Sequence, residues 1–192
     1  MKSSLVFLLL LAAPLLLWTS CEKDDPAVAT TLNYDGDPVS APQLPPGKNM
    51  FAAYFPPSVT QQYTGRTLER IRFYLNTIPD STAVVVYGEG PDDRTPGAEL
   101  YRQPMTNRIT TNRWIEDRVI PGLEIDGQGL WLAVEVVLPD GEPFSVGCDA
   151  GRTYNSNGDL LRLATNPNQW ASFRDITGEQ VNWNIRGILG GE

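Results

Sequence analysis

Glu124 and Asp126 fall on one side of an extended Glu124-Ile125-Asp126 segment. Paired carboxylates about 5 Å apart are what retaining glycoside hydrolysis requires, so this is the reaction the chain comes nearest to encoding. Asp126-Gly127 also reads as a turn, which takes Asp126 off the strand face. The chain has no histidine. That removes the Ser-His-Asp triad, the Cys-His pair and the common imidazole zinc sites, leaving carboxylate chemistry, a tyrosine or lysine nucleophile, or oxygen-ligand metals. No catalytic residue is assigned on this basis, and a carboxylate-dependent glycosidase or lyase stands as the rival to a noncatalytic reading.

Oxygen-bearing side chains recur in the loops, at Asp35, Asp37, Asp149, Asn155, Asn157 and Asp159. A Ca²⁺ takes about six to eight oxygens, and Asp35, Asp37 and Asp159 are the candidates for a structural calcium; no other cofactor is expected. The same side chains make turns, and Asn155-Ser156-Asn157-Gly158-Asp159 lacks the acidic density and the distant bidentate Glu of an EF-hand. For a ligand, the loop from Asp149 to Asp159 offers Asp149, Arg152, Tyr154, Asn155 and Asn157, with Gly151 and Gly158 letting the backbone come close. Of the five tryptophans, Trp18 lies in the N-terminal leader, leaving Trp114, Trp131, Trp170 and Trp183 as possible stacking platforms, with Trp183 on an apolar strand face. Trp131 lies opposite a leucine face, so Trp131 and Trp170 are the expected exposed pair for stacking on a sugar.

These loops need strands to hold them. Gly129 to Leu138 is the clearest, with Leu130, Leu132, Val134, Val136 and Leu138 on one side of a period-two alternation that a second sheet must cover. Further strands are expected at Thr31–Tyr34, Asn49–Phe55, Thr67–Asn76, Thr82–Tyr87, Ala98–Gln103, Arg113–Ile120, Asp159–Leu163, Trp170–Phe173 and Val181–Leu189. Phe144 to Cys148 is expected to run back beside the long strand after the turn at 139–143. Ser58 to Thr64 reads as a short helix with Ser58 as N-cap and Gly65 at C′. Short strands joined by Gly, Pro, Asn and Asp turns predict an all-β fold, an antiparallel β-sandwich of jelly-roll-like kind.

Composition narrows the partners. Lys and Arg total 15 against 23 Asp and Glu, a net charge of −8, and loss of a leader containing Lys2 makes the mature chain one unit more negative. A polyanion would need a basic stripe, and the arginines are scattered singly among acids and turns, so nucleic acid is not an expected partner. Cys148 has no expected disulfide partner.

Met1 and Lys2 precede an apolar run from Leu5 to Leu17, shorter than the roughly 20 residues a bilayer span needs. The run and the junction Leu17-Trp18-Thr19-Ser20-Cys21 resemble the lipobox of bacterial lipoproteins, which implies cleavage before Cys21 and acylation of its side chain. Glu22-Lys23-Asp24-Asp25 resembles the acidic export signal that follows the lipidated cysteine in surface-exposed lipoproteins of the Bacteroidetes. The organisation this implies is a signal peptide at 1–20, a tether at 21–30 anchored in outer-membrane lipid through Cys21, and a β-sandwich domain at 31–190 facing the cell exterior.

Within that domain, Asn33-Tyr34-Asp35-Gly36, Leu68-Glu69-Arg70-Ile71-Arg72-Phe73-Tyr74, Leu130-Trp131-Leu132-Ala133, Gly147-Cys148-Asp149-Ala150-Gly151, Gly158-Asp159-Leu160 and Asn182-Trp183-Asn184-Ile185-Arg186-Gly187 together resemble a module of secreted and surface proteins of that phylum, found beside peptidases and in adhesins. The resemblance implies a sandwich with an accessory or adhesive role and carries no catalytic residues; Asp117 departs from it at a usually apolar position. Glu124-Ile125-Asp126 resembles the start of the Glu-Ile-Asp-x-x-Glu pattern of laminarinase-type glucanases, but Gln128 and Gly129 stand where the second glutamate would fall. The reading that results is a noncatalytic module binding a glycan or a protein. A structural subunit of an envelope complex is a further alternative.

Overall fold

The computed structural model describes residues 30–141 and 144–190. The leader, Cys21, the Glu22-Lys23-Asp24-Asp25 segment and all of the 21–30 tether except Thr30 lie outside the described residues. The chain forms β1 (Thr30–Leu32), β2 (Gly47–Phe55), α1 (Pro57–Thr60), β3 (Thr67–Tyr74), β4 (Ser81–Gly88), β5 (Glu99–Pro104), β6 (Trp114–Glu124), β7 (Leu130–Leu138), β8 (Leu160–Arg162), β9 (Ala171–Ser172), α2 (Phe173–Thr177) and β10 (Ile185–Gly190). They make two antiparallel sheets, one in the order β1-β10-β3-β6 and the other β5-β4-β7-β2-β8-β9. The architecture is an all-β sandwich.

β7 sits inside the six-stranded sheet, in register with β4 on one side and with the whole of β2 on the other. Its alternation decides the core. Leu130, Leu132, Val134, Val136 and Leu138 face the space between the sheets and meet Phe51, Ile71, Phe73, Trp183 and Ile185, all buried. β2 ends at Pro56-Pro57, where proline removes the ladder donor. Pro57 then takes the first position of α1 after Pro56 as cap. Ser58 is therefore inside the helix and not its N-cap, because a proline with its φ already helical is well suited to the first position.

Two expectations fail for tertiary reasons. Phe144 to Cys148 does not pair with β7, whose two edges are already filled by β2 and β4. It makes single bridges instead, Phe144 to Gln43, Val146 to Leu75, and Cys148 to both Ser40 and Trp183, and so stitches the N-terminal segment to the approach to β10. The outer face of β7 is not wet either. Trp131 and Ala133 are fully buried there in a second apolar cluster with Met50, Ala52, Tyr54, Val85, Leu160 and Trp170. The six-stranded sheet thus has apolar layers on both faces, while among the described residues the outer face of the four-stranded sheet is left open.

Candidate functional site

The expected sugar-stacking pair belongs to that second layer. Trp131 is wholly inaccessible and Trp170 is 8% exposed, their rings 5.5 Å apart, with Tyr54 stacked on Trp131 at 4.9 Å. The Arg162 guanidinium lies 5.4 Å from the Trp170 ring centre and covers the cluster from outside. Neither tryptophan is available as a platform.

The polar loop 149–159 is likewise turned inward. Asp149 accepts hydrogen bonds from the backbone N–H of Gly36 (3.1 Å), Gly151 (2.9 Å) and Asn182 (2.8 Å) and from Asn182 Nδ2 (2.9 Å). Burial alone would raise its pKa, but these donors outweigh it and hold the carboxyl below the usual range. Asp35, one residue before Gly36, accepts from Asn33, from Asn184 Nδ2 (2.8 Å) and from Arg186, whose guanidinium reaches Asp35 Oδ2 at 2.8 Å. Here burial wins over the donors and the ion pair, and the pKa is raised. Asp159 is fully buried and accepts through Oδ2 from Ser172 (2.6 Å), the Arg174 N–H (3.0 Å) and Tyr154 (3.2 Å). Burial again raises its pKa, and its Oδ1 has no partner.

Four of the sequence patches therefore meet in one place. Asn33 to Gly36, Gly147 to Gly151, Gly158 to Leu160 and Asn182 to Gly187 interlock through Asp35, Asp149, Asn182 and Asn184. Their glycines make room for the protein itself, not for a ligand. Gly151 adopts φ +62° against the Gln180 carbonyl, and a Cβ on Gly158 would stand 2.6 Å from Asn182 Oδ1. Asn155 accepts from Asn157 N–H, and its own N–H donates to Asn182 Oδ1. Tyr154 packs beneath Arg174 at 5.5 Å, and Arg152 alone of the loop candidates is both exposed and long. The calcium candidates are not brought together. Asp35 is engaged by Arg186 and Asn184, Asp37 is exposed, and among the described residues no three Cys, Asp or Glu side chains gather to hold a metal.

Asp117 is the acid the apolar pattern did not accommodate. It is fully buried on the inner face of β6 and is met by Arg108 Nη1 at 2.6 Å and the Tyr101 hydroxyl at 2.8 Å. This cluster closes the sandwich between edge strands β5 and β6. Burial, followed by the bond to Asp117, pushes the Tyr101 phenol up to about 12.

The carboxylate pair of the hydrolase reading lines an open cleft of about 480 Å³, with Glu89, Glu124, Asp126 and Gln128 on its walls. Ile125 is buried and Asp126 Oδ1 accepts the Gln128 N–H at 2.9 Å, so Asp126 serves the turn. Glu89 Oε2 accepts the Gly129 N–H at 3.2 Å. Glu124 is the exposed acid of the three whose side chain makes no hydrogen bond to the described residues, its backbone pairing with Thr67.

The open face of the four-stranded sheet has a different chemistry. β-pairing sets Arg186 of β10 opposite Arg72 of β3, and Arg70 of β3 opposite Arg118 of β6. One row on, Tyr74 faces Trp114, their rings 5.7 Å apart edge to face. Trp114 is half-buried, with Arg186 4.4 Å and Arg72 5.2 Å from its ring centre. Glu116 stands between Arg70 (3.5 Å) and Arg72 (3.6 Å). Arginines that look scattered along the chain are gathered by pairing onto one face. Among the described residues Trp114, not Trp131 or Trp170, is the tryptophan on an open surface.

Comparison with known proteins adds a fold. No family model matches the sequence, and no curated protein matches it significantly. The structure is similar to the cysteine protease and lectin-like domains of Cwp84, a surface layer associated protein of Clostridium difficile. The TM-score is 0.52 at 12% identity, over 76% of this chain and 33% of that one. The chain thus spans about a third of that neighbour, and at this identity the likeness shows the fold alone.

Proposed function

We propose that the protein is a noncatalytic binding module, displayed at the cell surface on a lipid anchor at Cys21, that engages a saccharide chain on the outer face of β10, β3 and β6. The observation that carries this reading is the row of Trp114 and Tyr74 among arginines on the open sheet face, while Trp131, Trp170 and Trp183 are buried in the sandwich. An indole edge and stacked guanidiniums give both an apolar surface for sugar C–H groups and donors for hydroxyls. The buried carboxylates Asp35, Asp117, Asp149 and Asp159 are tied to neighbours within the fold by hydrogen bonds and ion pairs. The recurrence of the fold in a surface-layer-associated protein with a lectin-like domain supports the same reading. Screening the protein against immobilised glycans should yield ligands that Trp114→Ala loses by at least about tenfold while its melting temperature stays within a few degrees. Ligands retained in full by Trp114→Ala would place binding elsewhere.

A carboxylate-dependent glycosidase or lyase is the second reading, favoured by the cleft bearing Glu89, Glu124 and Asp126. Release of reducing ends from any polysaccharide by the purified protein, abolished in Glu124→Gln, would establish it. No release is expected.

A further inference from the structure

We propose that the saccharide bound by this face is anionic, a chain carrying carboxylate or sulfate groups at intervals. The inference rests on the binding reading above and names the ligand's charge. Like charges directly opposite one another on paired strands repel and destabilise a sheet. This face holds two such pairs in succession, Arg72 with Arg186 and Arg70 with Arg118. The two rows lie roughly 7 Å apart along β3, from two residues at about 3.4 Å each.

The protein's own acids neutralise them incompletely. Asp35 holds Arg186 in a close ion pair at 2.8 Å, so that arginine is committed to the fold. Glu116 alone faces both Arg70 and Arg72, at separations too long for a bidentate fork and with 44% of its side chain exposed. Arg118 is exposed and lines a notch of about 410 Å³ with Arg70, Thr67 and Gly122, where Glu69 is the acid on the rim. Arg70, Arg72 and Arg118 are therefore the guanidiniums open to an incoming anion, and each can fork onto a planar carboxylate or a sulfate. Trp114 beside them supplies the apolar contact that a sugar ring needs and that a bare anion does not. The chain as a whole is acidic, with a net charge of −8. That field leaves the basic face as the part of the molecule an acidic polymer can approach, and the DNA arm of the test separates nucleic acid from saccharide.

The test uses the purified protein with four probes of similar length: polygalacturonate, heparin, neutral dextran and single-stranded DNA. Binding is read by affinity electrophoresis and calorimetry across a salt series. The expected result is binding to polygalacturonate, heparin or both, with carboxylate and sulfate distinguished by which is preferred, and no measurable binding to dextran. Arg70→Gln/Arg118→Gln should lower that affinity at least about tenfold and flatten the dependence of log K on log salt by roughly 1.4, at about 0.7 per charge contact. Its melting temperature should hold or rise, because a repulsive pair is removed. Glu116→Gln should tighten binding several-fold, which a fold defect cannot mimic. If dextran binds as well as the acidic chains and Trp114→Ala abolishes it, the face binds sugar but this inference is wrong. Tighter binding to DNA than to either acidic saccharide would also overturn it, in favour of a nucleic-acid surface. No binding to any saccharide would overturn both this inference and the function it rests on.

Discussion

Replacing Asp149 with alanine should damage the fold far more than its place in a polar loop implies. The carboxylate satisfies four donors, the N–H groups of Gly36, Gly151 and Asn182 and the Asn182 amide. Gly36 is exposed and its N–H can return to water, whereas Asn182 is fully buried: its backbone N–H and one N–H of its side-chain amide lose their acceptor, the other amide N–H keeping the Thr153 carbonyl at 3.3 Å. Two stranded donors that had bonded a charged acceptor, each worth about 1.5–3 kcal/mol, put the loss at about 3–5 kcal/mol after partial relaxation of the loop. For a domain of this size about 2–4 °C accompanies each kcal/mol, so the melting temperature should fall by about 6–20 °C. Circular dichroism melts and urea titrations of both forms measure it. The pH dependence has a definite sign. Because the folded-state pKa of Asp149 is lowered, its contribution is complete above the unfolded value of about 3.9 and is lost as pH falls through the folded value. The gap between wild type and Asp149→Ala should close in acid. A fall in melting temperature of less than about 3 °C at neutral pH would refute the argument that this loop is structural.

The other carboxylates make contrasting cases. Asp159→Asn removes a buried charge with an unpartnered oxygen and a raised pKa, so stability at neutral pH should change by less than about 1.5 kcal/mol, and the stability cost that wild type acquires as pH rises through the folded value of Asp159 should vanish from its pH profile. Trp131→Ala should cost about 3–5 kcal/mol in a denaturation experiment, as an enclosed aromatic does. Arg152→Ala, in contrast, should stay within about 0.5 kcal/mol. Cys21→Ala should release the protein from membranes into the aqueous phase on detergent partitioning, and alanines in place of Glu22, Lys23, Asp24 and Asp25 should leave it lipidated but protected from protease added to intact cells.

The strands themselves were legible wherever one face is apolar. β7 and β3 show their buried sides as plain alternation, and β4 its burial on both faces as a run of valines. Trp131 was misplaced because the layer that covers it is built from β2, β4, β8 and the segment before β9, and no local pattern announces a cover assembled from four distant pieces. Asp117 breaks its strand's pattern for the same reason, its partners Arg108 and Tyr101 lying outside β6. The polar loop invited a binding role because turn formers and ligand binders are the same residue types. Pairing register also hides the basic face, since Arg70, Arg72, Arg118 and Arg186 become neighbours only when β10, β3 and β6 align. One signal was available in the sequence, the Arg70, Arg72 and Tyr74 alternation opposite Ile71 and Phe73, which marks an open polar face on β3.

The central claim is that saccharide meets the outer face of the four-stranded sheet, and the most direct measurement is an amide NMR spectrum of the protein titrated with polygalacturonate oligomers. The account predicts saturating shifts along β3, β6 and β10 centred on Arg70, Arg72, Trp114 and Arg118, together with movement of the Trp114 indole signal. Shifts confined to the cleft of Glu89, Glu124 and Asp126, or to the loop from Asp149 to Asp159, would contradict it.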